Sequence, residues 1–133
     1  VLKYLETKNA ATQTELKTDS TLIGNYNNNL WNLTNKSAKY LLGSWKPCPY
    51  AKTMEANVLL TTGADTSFGK MNIYDIAGNV WEWTLEYTSS AGCPCARRGG
   101  NSFFNGSNVP ASHRYDDDTT YSNDYTGFRV SLY

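Results

Sequence analysis

The chain has 133 residues, enough for one domain with a single core, and its 12 Lys and Arg balance 12 Asp and Glu. Zero formal charge excludes sequence-wide attraction to nucleic acid or to an anionic membrane. No apolar run approaches the ~20 residues that span a bilayer. Neither a nucleic-acid partner nor membrane insertion is therefore expected.

The first residues, Val1 to about Lys8, read as a helix with Val1, Leu2 and Leu5 on one face. The chain starts at Val1 rather than Met and without a signal peptide, so it reads as a piece of a longer protein. Ala10 to Lys17 either continues this helix or makes a second short turn, with Leu16 inward. Asp19-Ser20-Thr21 is a turn leading into Ile23-Gly24-Asn25-Tyr26. A polar region of low helicity then runs from Asn27 to about Asn57. Its Leu30, Trp31, Leu33, Tyr40, Leu41, Leu42, Trp45 and Tyr50 are expected as patches against the core. Asn32 and Asn35 match the N-glycosylation pattern, a match common by chance. Val58 to Gly63 reads as a short strand ending in a glycine turn, and Asp65 to Lys70 as a surface loop. Cys48, Cys93 and Cys95 are too few and too odd in number for a disulfide framework, and free thiols are expected. A bridge from Cys48 to one of the others stays open.

The centre of the chain is Asn72 to Thr84, a strand-and-turn unit. Ile73, Ile76, Val80, Trp81 and Trp83 interleave with Asp75, Asn79, Glu82 and Thr84. The Ala77-Gly78-Asn79 corner supplies small, φ-permissive residues for a tight turn. Val80 to Thr84 alternates as a half-buried strand. Glu82, between two indoles, must face solvent or be held by specific partners. Leu85 to Cys95 reads as a connecting loop, and Ala96 to Gly100 as a strand closing on two glycines. Gly127 to Tyr133 alternates as a closing strand with Phe128, Val130 and Leu132 inward.

Tyr74-Asp-Ile-Ala-Gly-Asn-Val-Trp-Glu-Trp-Thr84, then Arg98-Gly99-Gly100, then Gly127-Phe128-Arg129, resembles the formylglycine-generating enzyme (sulfatase-modifying factor) superfamily. Gly24-Asn25-Tyr26 extends the likeness into the first half. The resemblance implies an α+β domain with the C-type lectin fold of that superfamily: short strands, one or two N-terminal helices and much irregular structure. It spans residues 1–133 as a single domain.

The resembling enzymes oxidise a cysteine through a copper-binding cysteine pair just after the Gly-Gly. Here residues 101–113 contain no cysteine, Phe104 stands about where the first thiol would be, and Cys93 and Cys95 precede the motif. Soft-metal redox chemistry needs thiolate ligands. A related branch uses histidine-bound iron, but His113 is the only histidine. Asp116, Asp117, Asp118 and Asp124 show no paired acid–base arrangement. The expectation is a non-catalytic domain.

Asn101 to Thr126 contains no Lys, Glu, Gln, Met or Trp, types that fill 20 of the first 100 residues. Every type present is encoded by a codon ending in pyrimidine. Randomising the adenines of an Asn codon AAY gives that set, which omits these five types and never yields a stop. Composition bias alone is the alternative. With the preceding motifs, the arrangement resembles the variable proteins of diversity-generating retroelements, the family of the phage major tropism determinant. The resemblance implies a ligand-binding segment at residues 101–126 for phage host attachment or surface adhesion. Its parent would sit on a virion tail or a bacterial cell surface, and its macromolecular ligand would be a host-cell surface protein or glycan. Tyr, Phe, Ser, Asn, Asp and Gly are also the residues of evolved binding loops.

Within it the candidate ligand-binding residues are Asn101, Ser102, Phe103, Phe104, Asn105, Asn108, His113, Tyr115, Asp116, Asp117, Asp118, Tyr121, Asn123, Asp124 and Tyr125. Phe103, Phe104, Tyr115, Tyr121 and Tyr125 are anchor candidates, with burial in the core as the alternative. Four aspartates make the face acidic, with Arg114 the nearby cation. Gly106, Pro110, Ala111, Arg114 and Gly127 are expected as framework. Arg114 and Arg129 are expected in ion pairs or carbonyl bonds.

No cofactor is required on this reading. The superfamily resemblance also implies a structural calcium held by Asp75 and Glu82 side chains and by Gly78 and Val80 carbonyls. The alternative is that Glu82 accepts backbone N–H groups or pairs with an arginine. The sugar-binding motifs of calcium-dependent lectins are absent. A second reading of the whole is a catalytically inactive formylglycine-generating-enzyme-like domain with a fixed structural or adhesion role.

Overall fold

A computed structural model describes residues 1–129. Helix α1 (Leu2–Thr7) buries Leu5, while Val1 lies before it and is exposed, not on its inner face. Helix α2 (Gln13–Lys17) begins at a capping box. Thr12 accepts from the Glu15 N–H, and the Glu15 carboxylate accepts from the Thr12 N–H, so both are paired. Those bonds hold the Glu15 carboxyl below its ordinary range, the Thr12 N–H being the main cause. Leu16 is fully buried.

The strands are short. They are β1 (Trp31–Leu33), β2 (Lys39–Leu42), β3 (Ser44–Pro47), β4 (Tyr50–Lys52), β5 (Leu59–Leu60), β6 (Gly69–Lys70) and β7 (Ile73–Tyr74). They continue as β8 (Trp81–Tyr87), β9 (Cys95–Arg98), β10 (Arg114–Asp117) and β11 (Thr126–Phe128). The main sheet has the order β10-β9-β8-β11, antiparallel except for the parallel β11–β8 pair. Of the early patches, Trp31 and Leu33 are buried, whereas Leu30, Leu42 and Trp45 are exposed.

Three expected boundaries shift. The segment Asp65 to Lys70 is not a surface loop: a 3-10 turn (Thr66–Phe68) buries Phe68 and leads into β6. Leu85 to Tyr87 extends β8, which leaves Leu85 fully exposed. Phe128 closes the sheet but points outward, because it shares a cross-strand row with Trp83 on the open face. Val130 and Leu132 lie outside the described residues. All three cysteines are free thiols, and burial pushes the Cys48 thiol up.

Two apolar clusters make the core. One joins Leu5, Leu16, Ile23, Tyr26, Ile76 and Ala111; the other joins Trp31, Leu33, Val58, Leu60 and Phe68. A buried amide pair bridges them. Asn25 Nδ2 donates to the Val58 carbonyl at 2.7 Å and to Asn79 Oδ1 at 3.0 Å. Asn79 pairs with the backbone of Leu60 in both directions, at 2.9 and 3.0 Å. Trp31 Nε1 donates to Asn25 Oδ1 at 3.2 Å. The two chain segments meet here backbone to backbone: a Cβ on Gly78 (φ +67°) would lie 2.4 Å from the Asn25 carbonyl oxygen. This is why the central corner and Gly24-Asn25-Tyr26 need each other.

Candidate ligand-binding face

Segment 101–126 is laid onto this core mostly through its backbone. The Ser102 N–H donates to the Asn79 carbonyl (3.1 Å), and the Phe104 carbonyl accepts the Asn27 N–H (2.9 Å). The Gly106 carbonyl accepts the Ser20 N–H (3.1 Å), and the Ser112 N–H donates to the Leu16 carbonyl (2.9 Å). Gly106 sits against Thr21, where a Cβ would come within 2.3 Å of the Thr21 nitrogen. Tyr26, fully buried, places its hydroxyl 2.9 Å from the Gly99 carbonyl and 2.8 Å from that of Val109. The loop is thus tied by groups that every residue carries.

Side chains are then sorted by position. Phe103, Phe104, Tyr115 and Tyr121 are 49, 43, 53 and 40% exposed. Asn108, Asp118 and Asp124 are also exposed, while Asn105, His113, Asp116, Asp117, Asn123 and Tyr125 are half-buried. Gly106, Pro110 and Ala111 are buried. Asn101 and Ser102 are not surface residues, contrary to expectation. Asn101 Oδ1 accepts the Phe103 N–H (3.0 Å) and Ser102 Oγ bonds Asn57 Oδ1, so both turn inward to start the loop.

Cross-strand rows explain what lies beneath. Tyr115, Arg97, Trp83 and Phe128 share one row; Arg114, Arg98, Glu82 and Gly127 share the next, pointing to the other side. On the first side Trp81, itself buried, forms the floor, with the Phe104, His113 and Tyr115 rings 5.9–6.1 Å away. Phe103 and Tyr125 pack edge to face at 4.2 Å. Arg97 fills the centre. Its guanidinium carbon lies 4.4 Å from the Tyr121 ring, 5.3 Å from Tyr115, 5.4 Å from Trp81 and 5.9 Å from Trp83.

Two of the four aspartates expected to make the face acidic are paired with arginine. Asp117 is ion-paired with Arg97, and Asp116 lies 3.3 Å from Arg114. Asp118 caps its own turn, accepting the Thr120 N–H at 2.7 Å, which keeps its carboxyl below the ordinary range. Arg114 also pairs with Glu86, whose carboxyl is lowered chiefly by its hydrogen bonds to Arg98. Arg97 was legible only as part of a strand, and Arg98 only through the Arg-Gly-Gly motif. Their roles follow from register, which one sequence does not display.

Of the four residues expected as calcium ligands, Glu82 and Asp75 have partners within the chain. Arg129 takes both Glu82 carboxylate oxygens (2.6–3.2 Å) and donates to the Asp75 carbonyl (3.0 Å). The Asp75 carboxylate turns instead to the Gly63 N–H at 3.0 Å, and burial pushes its pKa up to about 6. The Gly78 N–H donates to the Gly99 carbonyl, and the Val80 side chain lies over Gly127. A fixed guanidinium between Glu82 and Asp75 does not fit a dication there; the arginine alternative is the arrangement observed. A cleft of about 720 Å³ opens beside Glu82 and Arg129, lined also by Ile76, Trp83, Arg98 and Phe128. Of segment 101–126 only Ala111 reaches it, and Trp83 and Phe128 are common to it and to the row of Arg97 and Tyr115.

Short helices, short strands and long anchored connections define an α+β domain of the formylglycine-generating enzyme type. The chain belongs to the sulfatase-modifying factor enzyme 1-like domain family, whose model matches residues 7–132. No curated protein and no solved structure matches it.

Proposed function

We propose that this domain is a non-catalytic receptor module whose face, built from residues 101–126, captures a macromolecular ligand and is diversified by adenine-directed retroelement mutagenesis. The observation that carries the reading is the division of labour in that segment. Its backbone is pinned to Leu16, Ser20, Asn27 and Asn79, while four aromatic side chains project from it, each at least 40% exposed. Large exposed aromatics on a held backbone offer contact area at little entropic cost. The same segment lacks the five residue types that pyrimidine-ending codons omit. Absence of cysteine from residues 101–113 supports a domain without the copper chemistry of the resembling enzymes.

The ligand class is a host-cell surface protein or glycan, and the parent protein belongs on a phage tail or bacterial surface. Sequencing the 3′ end of the gene across a population of its source tests this. Substitutions confined to codons 101–126, at adenines of a nearby Asn-rich template repeat beside a reverse transcriptase, are expected. A segment as invariant as Trp81–Trp83 would overturn diversification and leave a fixed structural or adhesion role.

A further inference from the structure

Arg97 belongs to β9 and so lies outside the segment proposed to vary. It is 5% exposed, yet most of what encloses it comes from that segment: Tyr115, Asp117, Tyr121 and Thr126. Its Nη1 donates to Thr126 Oγ1 at 2.9 Å, one Nη2 contact is the Asp117 carboxylate, and its buried Nε has no hydrogen-bond partner among the described residues. A guanidinium cannot shed its charge by losing a proton. Whatever stands at 117, the cation beneath the face must therefore be answered by some anion.

We propose that Arg97 is a carboxylate-binding anchor of the face, and that residue 117 decides whether the chain or the ligand fills it. In this chain Asp117 supplies the carboxylate itself, so the face presents aromatic rings and turns acidic groups away. An uncharged small residue at 117 opens a gap of carboxylate size beside a planar fork of donors, whose guanidinium lies over Trp81 and Trp83. A carboxylate on the ligand then enters as Asp117 does now, by charge-assisted hydrogen bonds. The selector role of residue 117 rests on the diversification proposed above; the anchor does not. Asp117 Oδ1 also accepts the Asp118 N–H at 3.0 Å, but the rest of β10 is held by its pairing with β9, which the change leaves in place.

The test is Asp117→Ala, which removes the group that acetate replaces. Melting is followed at pH 7 in sodium acetate and in sodium chloride of equal ionic strength. The variant should melt several degrees higher in acetate, with saturation, while the starting protein shows no difference between the salts. The Arg97 Nε–H resonance should shift with acetate in the variant alone. Arg97→Gln in the Asp117→Ala background should abolish both responses. N-acetyl-aspartate amide and glucuronate then distinguish an acidic protein side chain from an acidic sugar as the better occupant. Equal melting in the two salts, a response that survives Arg97→Gln, or a variant that folds in neither salt overturns the anchor. This readout concerns the purified chain alone, so it is independent of the population sequencing, in which invariance of codon 117 would overturn the selector role.

Discussion

At the junction of the two cores, Asn25 and Asn79 hold the fold with their side chains, through hydrogen bonds of their amides to each other, to Trp31 and to the backbone of Val58 and Leu60. Residues 103–112, a short distance along the chain from the same core, are held chiefly by main-chain bonds to Leu16, Ser20 and Asn27. The first arrangement depends on residue identity, because only an asparagine offers that donor and acceptor geometry. The second leaves identity free wherever the side chain points outward. One domain thus contains a frame held by particular side chains and a face held mainly through its backbone, and the difference lies in which atoms make the hydrogen bonds.

Breaking the frame should cost most. Asn79→Ala removes the side-chain partners of the Leu60 N–H and carbonyl and one of the two acceptors of the Asn25 amide, for a loss on the order of 3 kcal/mol in urea unfolding. Gly78→Ala should be comparably severe, since its Cβ meets the Asn25 carbonyl and its φ is +67°. If either variant unfolds like the starting protein, the bridge between the two cores is not what holds them together.

Asp75 sharpens the same contrast by pH. Its pKa is raised from 3.8 to about 6, mainly by burial, so the native state binds its proton more tightly than the unfolded chain. The stability this group contributes is complete below about pH 4 and is lost as pH rises through about 6. Asp75→Asn keeps an oxygen for the Gly63 N–H and should remove that slope, gaining roughly 1–2 kcal/mol at pH 7. Chemical denaturation of both proteins at pH 4, 5, 6 and 7 checks the sign; a slope unchanged in the variant contradicts the assignment.

Substitutions on the face should be mild. Phe103→Ser, Phe104→Asn and Tyr121→Ser each remove a half-exposed ring and should each cost about 1 kcal/mol or less. Ser102→Phe, one residue away, should prevent folding, because Ser102 is fully buried against Asn57. Soluble yield and urea midpoints of these four variants measure how sharply tolerance changes between 102 and 103.

Much of the frame was legible. The Ala77-Gly78-Asn79 corner is read from residue types that accept positive φ, and both Gly78 and Asn79 adopt it. The Trp81 strand is read from its alternation, and Leu16 from helical spacing. What escaped depends on register and on tertiary context. Phe68 looks like a loop residue until the Asp65-capped turn swings it into the second core. Phe128 alternates correctly, but alternation does not say which side of the sheet is covered. Arg97 gives no local signal, since only the pairing of β9 with β8 and β10 puts it under Tyr115 and Tyr121. Asn101 and Ser102 share the composition of the segment, and composition cannot separate the buried start of a loop from its exposed tip.

The most direct test of the account is a displayed library in which each codon from 101 to 126 is replaced in turn by the pyrimidine-ending set, with protease resistance read at every position. The account predicts free substitution at 103, 104, 108, 115 and 121, and near-complete loss at 101, 102, 106 and 111. A profile with equal tolerance at the two groups of positions, or with the aromatic positions the more sensitive, would contradict a face carried on a backbone-anchored loop.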